Sequence, residues 1–98
     1  MSLPVVLRPE AQDDLLLARD WYERQSAGLG DTFTAAVELL LARISGMPEL
    51  YAVTFRRVRP AKVRRFPYVV YYRVLIDRIE VLAILHGSRD ARIWKGRA

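Results

Sequence analysis

The chain has 98 residues, of which 52% are hydrophobic and 28% charged, and it contains no cysteine. That balance belongs to a globular chain rather than a disordered one, and the length suits one domain over residues 1–98. Lack of cysteine removes disulfides, thiolate metal sites and thiol nucleophiles, and a sole histidine, His86, removes any imidazole-rich metal centre. No apolar run reaches the length of a bilayer span and no apolar leader follows Met1. The expectation is a cytoplasmic protein with no membrane association, no metal and no cofactor.

The formal net charge of +5 is unevenly distributed. Residues 1–50 hold four Lys/Arg and eight Asp/Glu, a balance of −4, while residues 51–98 hold twelve and three, a balance of +9. A basic half of this kind attracts nucleic acid, acidic protein segments or acidic surfaces.

Leu3 to Leu7 is apolar and reads as a short strand. Pro9 then suits the first turn of a helix, where its missing N–H is not needed. Ala11, Leu15, Ala18 and Tyr22 fall on one stripe, widened by Leu17 and Trp21, and predict a helix over about Pro9 to Gln25. Glu10, Asp13 and Asp14 read as a solvated face that complements the helix dipole. Ser26 to Gly30 breaks the pattern. Leu29, Phe33, Val37, Leu40, Leu41, Ile44 and Met47 predict a second helix, stopped by Gly46 and Pro48, so the two form an antiparallel hairpin.

After Pro48 the chain turns to β-formers. Tyr51 to Phe66 is rich in Arg, Val and aromatics, with Pro60 placing a turn. Tyr68–Leu75 and Ile79–His86 predict a β-hairpin about Ile76-Asp77-Arg78. On the second strand Ile79, Val81, Ala83 and Leu85 alternate with Glu80, Leu82, Ile84 and His86, and since both sets are largely apolar the strand is central. Asp90 can cap a short last helix carrying Ile93 and Trp94. The order β-α-α-β-β-β with a short C-terminal helix or tail predicts an α+β domain, a helical hairpin packed on a twisted antiparallel sheet.

No phosphate loop, nucleophile elbow or metal-ligand pair is present. His86 is the one side chain with an ordinary acid/base range near neutrality, and Arg65, Arg73 and Arg89 could neutralise a phosphorane beside it. A structural histidine bonded to the following turn is the alternative. Arg56, Arg57, Arg59, Lys62, Arg64 and Arg65 interleave with Tyr51, Phe55, Phe66 and Tyr68. This composition serves an RNA surface or a protein interface equally. Arg56/Arg64 and Phe55/Phe66 could also face each other across strands. Trp94, amid Arg92, Lys95 and Arg97, either docks on the core or marks a contact.

Arg64-Arg65-Phe66-Pro67-Tyr68-Val69-Val70-Tyr71-Tyr72-Arg73-Val74, followed by Ile79 to Leu85 and His86-Gly87-Ser88-Arg89-Asp90, resembles the RelE/ParE superfamily of type II toxins. Ala11-x3-Leu15, Trp21-Tyr22 and Gly30-x2-Phe33 are similar to that family's helical hairpin. The resemblance covers about Leu3 to Trp94. It implies a toxin held in a hetero-oligomer by a cognate antitoxin with an acidic segment that folds on binding. Tyr68 stands where RelE-like ribonucleases carry an arginine, Gly87 follows His86, and no tyrosine lies beyond Tyr72, so the pattern is closer to the ParE branch. That branch implies inhibition of DNA gyrase by protein binding through the C-terminal segment; on this sequence the candidate target contacts are Arg89, Arg92, Trp94 and Lys95, and the candidate basic and aromatic interface is Arg56, Arg64, Arg65 and Tyr68. The alternative is a ribosome-dependent mRNA endoribonuclease using His86, Arg65 and Arg73.

Overall fold

A computed structural model describes residues 2–98. Its elements are β1 (Val5–Leu7), α1 (Pro9–Gln25), α2 (Leu29–Gly46), a 3-10 turn at Phe55–Arg57, β2 (Arg59–Lys62), β3 (Tyr68–Val74), β4 (Ile79–His86) and α3 (Ala91–Lys95). This is the α+β order that the sequence predicts.

The hairpin of α1 and α2 forms because each helix carries one apolar stripe: Ala11, Ala18 and Tyr22 on α1, and Phe33, Val37, Leu40 and Ile44 on α2, are buried. Leu17 and Trp21 do not widen the first stripe; they lie on its flank and stay exposed. The link turns at Gly28, whose φ of +88° is costly for any residue with a Cβ. Glu23 closes the joint by accepting from the amides of both Gly28 and Gly30 at 2.9 Å, satisfying donors that the start of α2 otherwise leaves open.

The sheet order is β1-β4-β3-β2. The β2–β3 and β3–β4 pairs are antiparallel, but β1 joins β4 in parallel, so the sheet is mixed. A parallel neighbour follows from the chain path, since β1 reaches the sheet's edge before the helices and β4 arrives after a crossover. β4 is central, as its two apolar faces require.

Three local expectations are corrected. Pro60 makes no turn; it lies in β2 opposite Tyr71, and an edge strand tolerates it. Strict alternation fails on β4, because a bulge sets Tyr71 opposite Ala83 but Tyr72 opposite Val81. The extra residue, Leu82, shifts parity, so Ile84 joins Ile79 and Val81 on the helix side while Leu82, Ala83 and Leu85 turn to the back. Phe55 and Phe66 are not cross-strand partners, since the chain at Phe55–Arg57 is a 3-10 turn and not a strand.

Two cores result. The larger packs α1 and α2 on the sheet around Phe33, Val37, Ile44, Tyr72 and Ile79. The smaller, on the back, gathers Val58, Tyr71, Leu82, Ala83, Leu85 and Trp94. Each fully buried large side chain contributes about 1.5–3 kcal/mol. Between α2 and β2 the chain is tethered by the Tyr72 hydroxyl, which donates to the Pro48 carbonyl at 2.7 Å, and by the Arg59 guanidinium on the Tyr51 carbonyl.

Candidate functional site

The fold divides the basic half between several places. Arg59 is absorbed by backbone carbonyls, Arg73 pairs with Glu80 at 3.1 Å, and Arg97 pairs with Asp14 at 2.6 Å. Asp14 therefore is not part of a solvated face: it also accepts from the Ile84 amide at 3.0 Å, and its side chain is nearly buried. Among the described residues of the basic half Arg56, Arg57, Lys62, Arg64, Arg65, Arg89 and Lys95 make no ion pair and remain open to a partner.

On the back of the sheet the 3-10 turn meets α3. Trp94 is 6% exposed and its ring stacks on Tyr71 with centroids 4.8 Å apart. As a contact candidate it is corrected to a core anchor: its ring holds α3 against the sheet. Phe55 packs edge-on to Trp94 at 6.2 Å, and the Arg56 guanidinium and the Lys95 ammonium both lie over the Phe55 ring, at 5.2 and 5.4 Å. Arg56 and Lys95, far apart in sequence, thus share one half-exposed aromatic plate. Arg92 is on the same short helix but is engaged by Asp90, at 2.7 and 3.0 Å. Those hydrogen bonds, with one from the Arg92 amide, hold the Asp90 carboxyl below the usual carboxylate range, and the same pairing raises the Arg92 value. Asp90 caps α3 as the sequence predicts.

On the helix side Arg64 and Arg65 occupy the β2–β3 connection. They overhang a hollow of about 350 Å³ against Ala35, Ala36 and Leu39 of α2. A smaller hollow of about 100 Å³ continues it, sharing Ala36, Leu39 and Arg64 and adding Arg43 and Lys62. Arg56, Arg57 and Arg65 are the three non-glycine residues with positive φ among those described, at +49°, +66° and +72°. Such conformations cost on the order of 1–3 kcal/mol each, and they cluster where function constrains the chain.

His86 stands at the end of β4, opposite Tyr68, where Trp21, Tyr22 and Pro67 complete a shallow cleft. Burial pushes the Tyr68 hydroxyl up, partly offset by the Arg89 charge nearby. The Ser88 amide donates to His86 Nδ1 at 3.0 Å, with Ser88 Oγ at 2.8 Å. An amide can only donate, so Nδ1 is the acceptor and Nε2 carries the proton. The ring bonds the following turn through Nδ1. Arg65 faces the α2 hollow, and Arg73 lies five positions along β3 from the His86 register, roughly 17 Å of strand. The three ribonuclease candidates do not form one constellation. Among the described residues no group of His, Asp and Glu converges that could hold a metal, and no helix is long and apolar enough to cross a membrane.

Fold and surface together define a small α+β toxin-like protein, a helical hairpin on a mixed four-stranded sheet with open cations on both faces. A family model described as the ParE toxin of type II toxin–antitoxin systems, parDE, matches residues 5–91, and the chain belongs to this family. Toxin ParE2 of Mycobacterium tuberculosis, in strains CDC 1551 / Oshkosh and ATCC 25618 / H37Rv, is 31% identical over 80 residues, covering 81% of this chain and 76% of the relative. A solved structure described as the chromosomal ParDE TA system from P. aeruginosa shares the fold, with a TM-score of 0.68 at 19% identity over 87% of this chain and 96% of that one.

Proposed function

We propose that this protein is a cytoplasmic ParE-type toxin that inhibits DNA gyrase by binding it, and that a cognate antitoxin with an acidic segment neutralises it in a hetero-oligomer. The carrying observation is the arrangement of the unpaired cations: Arg56 and Lys95 converge on the Phe55 ring, while the one histidine accepts the Ser88 amide at Nδ1. Cations over a half-exposed aromatic plate suit a protein contact, where Arg and aromatic side chains supply most of the binding energy. Arg89, near enough to Tyr68 for its charge to be felt there, adds a further unpaired cation at the end of the sheet.

Purified protein added to gyrase is expected to block supercoiling and to raise cleaved DNA. Arg56→Glu combined with Lys95→Glu should weaken this by about tenfold or more through lost electrostatic complementarity, and His86→Ala should not. Gyrase untouched at concentrations that halt growth would refute the reading. Cleavage of mRNA in a translation extract that His86→Ala abolishes would replace it with the ribonuclease.

A further inference from the structure

The 3-10 turn at Phe55–Arg57 carries residues ill suited to its backbone. The Val58 amide donates to the Phe55 carbonyl at 3.0 Å and the Thr54 amide to the Val58 carbonyl at 2.8 Å, which closes a tight reversal. Both central residues, Arg56 and Arg57, have positive φ, +49° and +66°, the signature of a type I′ turn. Asn-Gly is the pair that such a turn favours, because Gly has no Cβ and Asn tolerates the left-handed region. The conformation is imposed from the flanks instead. Val58 is fully buried in the back core, Phe55 packs on Trp94, and the Arg59 guanidinium holds the Tyr51 carbonyl. We propose that Arg57 is a specificity-determining residue: with Arg56 and Lys95 it receives the carboxylates of a protein surface whose apolar centre covers Val53 and Phe55. Only the naming of gyrase as that protein rests on the function given above.

Four features select an acidic protein surface. Among the described residues no carboxylate pairs with the Arg57 guanidinium and no ring lies under it, so the side chain has no partner within the fold to explain its place. Asp90, the acid that caps α3 nearby in the chain, is already taken by Arg92. Val53 is 50% exposed and Phe55 38%, so the cations rim an apolar centre, the composition of an interface hot spot. Nucleic acid fits less well. The Phe55 ring is overlaid by both Arg56 and Lys95 and stands edge-on to Trp94, so it has no free face for a base and no freedom to wedge between two. A planar guanidinium suits a carboxylate through two parallel hydrogen bonds, and a backbone held rigid by its flanks presents that fork already ordered. Strain of this kind persists where the surroundings over-determine it and binding makes use of it.

The test uses the full-length protein with Arg57→Gly, Arg57→Lys and, at the distant β3–β4 turn, Arg78→Gln as the charge control. Urea unfolding comes first. Gly suits a φ of +66° better than Arg, so the Arg57→Gly midpoint is expected to equal or exceed the parent's. A midpoint below it makes Arg57 a structural residue and overturns the proposal. Binding to purified gyrase without DNA is then titrated. Arg57→Gly is expected to lose about fivefold or more in affinity, Arg57→Lys to recover part of that loss, and the control to bind like the parent. Gyrase that binds parent and Arg57→Gly alike overturns the role of Arg57 but leaves the toxin reading standing. If gyrase does not bind the parent at all, the gyrase reading fails, and a fluorescent synthetic peptide with glutamates around a leucine decides: weaker binding by Arg57→Gly supports the acidic occupant, while equal or absent binding overturns it. Affinity for plain duplex DNA that falls in Arg57→Gly, with gyrase binding unchanged, also overturns it.

Discussion

Asp14 shows how much one carboxylate can do when it leaves the surface. β1 covers β4 only as far as Val81, so beyond it the strand presents bare backbone groups. Asp14 takes the Ile84 amide and Arg97 takes the Leu82 carbonyl at 3.1 Å, and the two side chains bond each other. Asp14→Asn keeps the shape but leaves Arg97 without its counter-charge in a nearly buried place, and is expected to cost about 1–3 kcal/mol in urea unfolding. None of this was legible beforehand. Helix spacing places Asp14 in the opening turns of α1 and says nothing of a partner 83 positions away. Trp94 was half legible: a tryptophan flanked by cations fits a core anchor as well as a contact, and the choice depends on Tyr71 lying beneath it.

The helical hairpin was the most readable element, because a period of 3.6 positions is written into the chain and local caps set its ends. Its tightest point is Gly30, where a Cβ would stand 2.7 Å from the Arg19 carbonyl oxygen and 2.9 Å from Glu23 Oε1. Gly30→Ala should force the helices apart and cost about 1–3 kcal/mol in thermal or urea unfolding. Gly46→Ala, with nothing near its Cβ, should be neutral or gain up to about 1 kcal/mol. The sheet was less readable. On β4 both faces are apolar, so hydropathy carries no phase, and the bulge at Leu82 changes which side chains meet the helices without leaving a trace in the pattern. The hollows beside α2 were missed for a similar reason: Leu39 belongs to no stripe, and the cations around them come from α2, β2 and the β2–β3 connection.

At the scale of the whole molecule, tyrosines tie the layers together. Tyr22, Tyr68, Tyr71 and Tyr72 are each raised from the ordinary value of 10.0, with burial as the first cause in every case. A folded-state value above the unfolded one means that the neutral phenols stabilise the fold fully below about pH 10 and that this stability is lost as pH rises through the folded values. The unfolding free energy measured in urea should therefore fall as pH is raised above about 10, and a stability that stays level across that range would contradict it.

Pro60 lies on the outer strand β2, where bonding of the Val63 amide to the Tyr68 carbonyl fixes the alternation and turns position 60 outward, with no N–H to offer. At the far side β1 is three residues long, and the bare stretch of β4 behind it is stoppered by Asp14 and Arg97. A neighbour's backbone thus finds few open donors along either border of the sheet, which disfavours the stitching of crowded copies into a fibre.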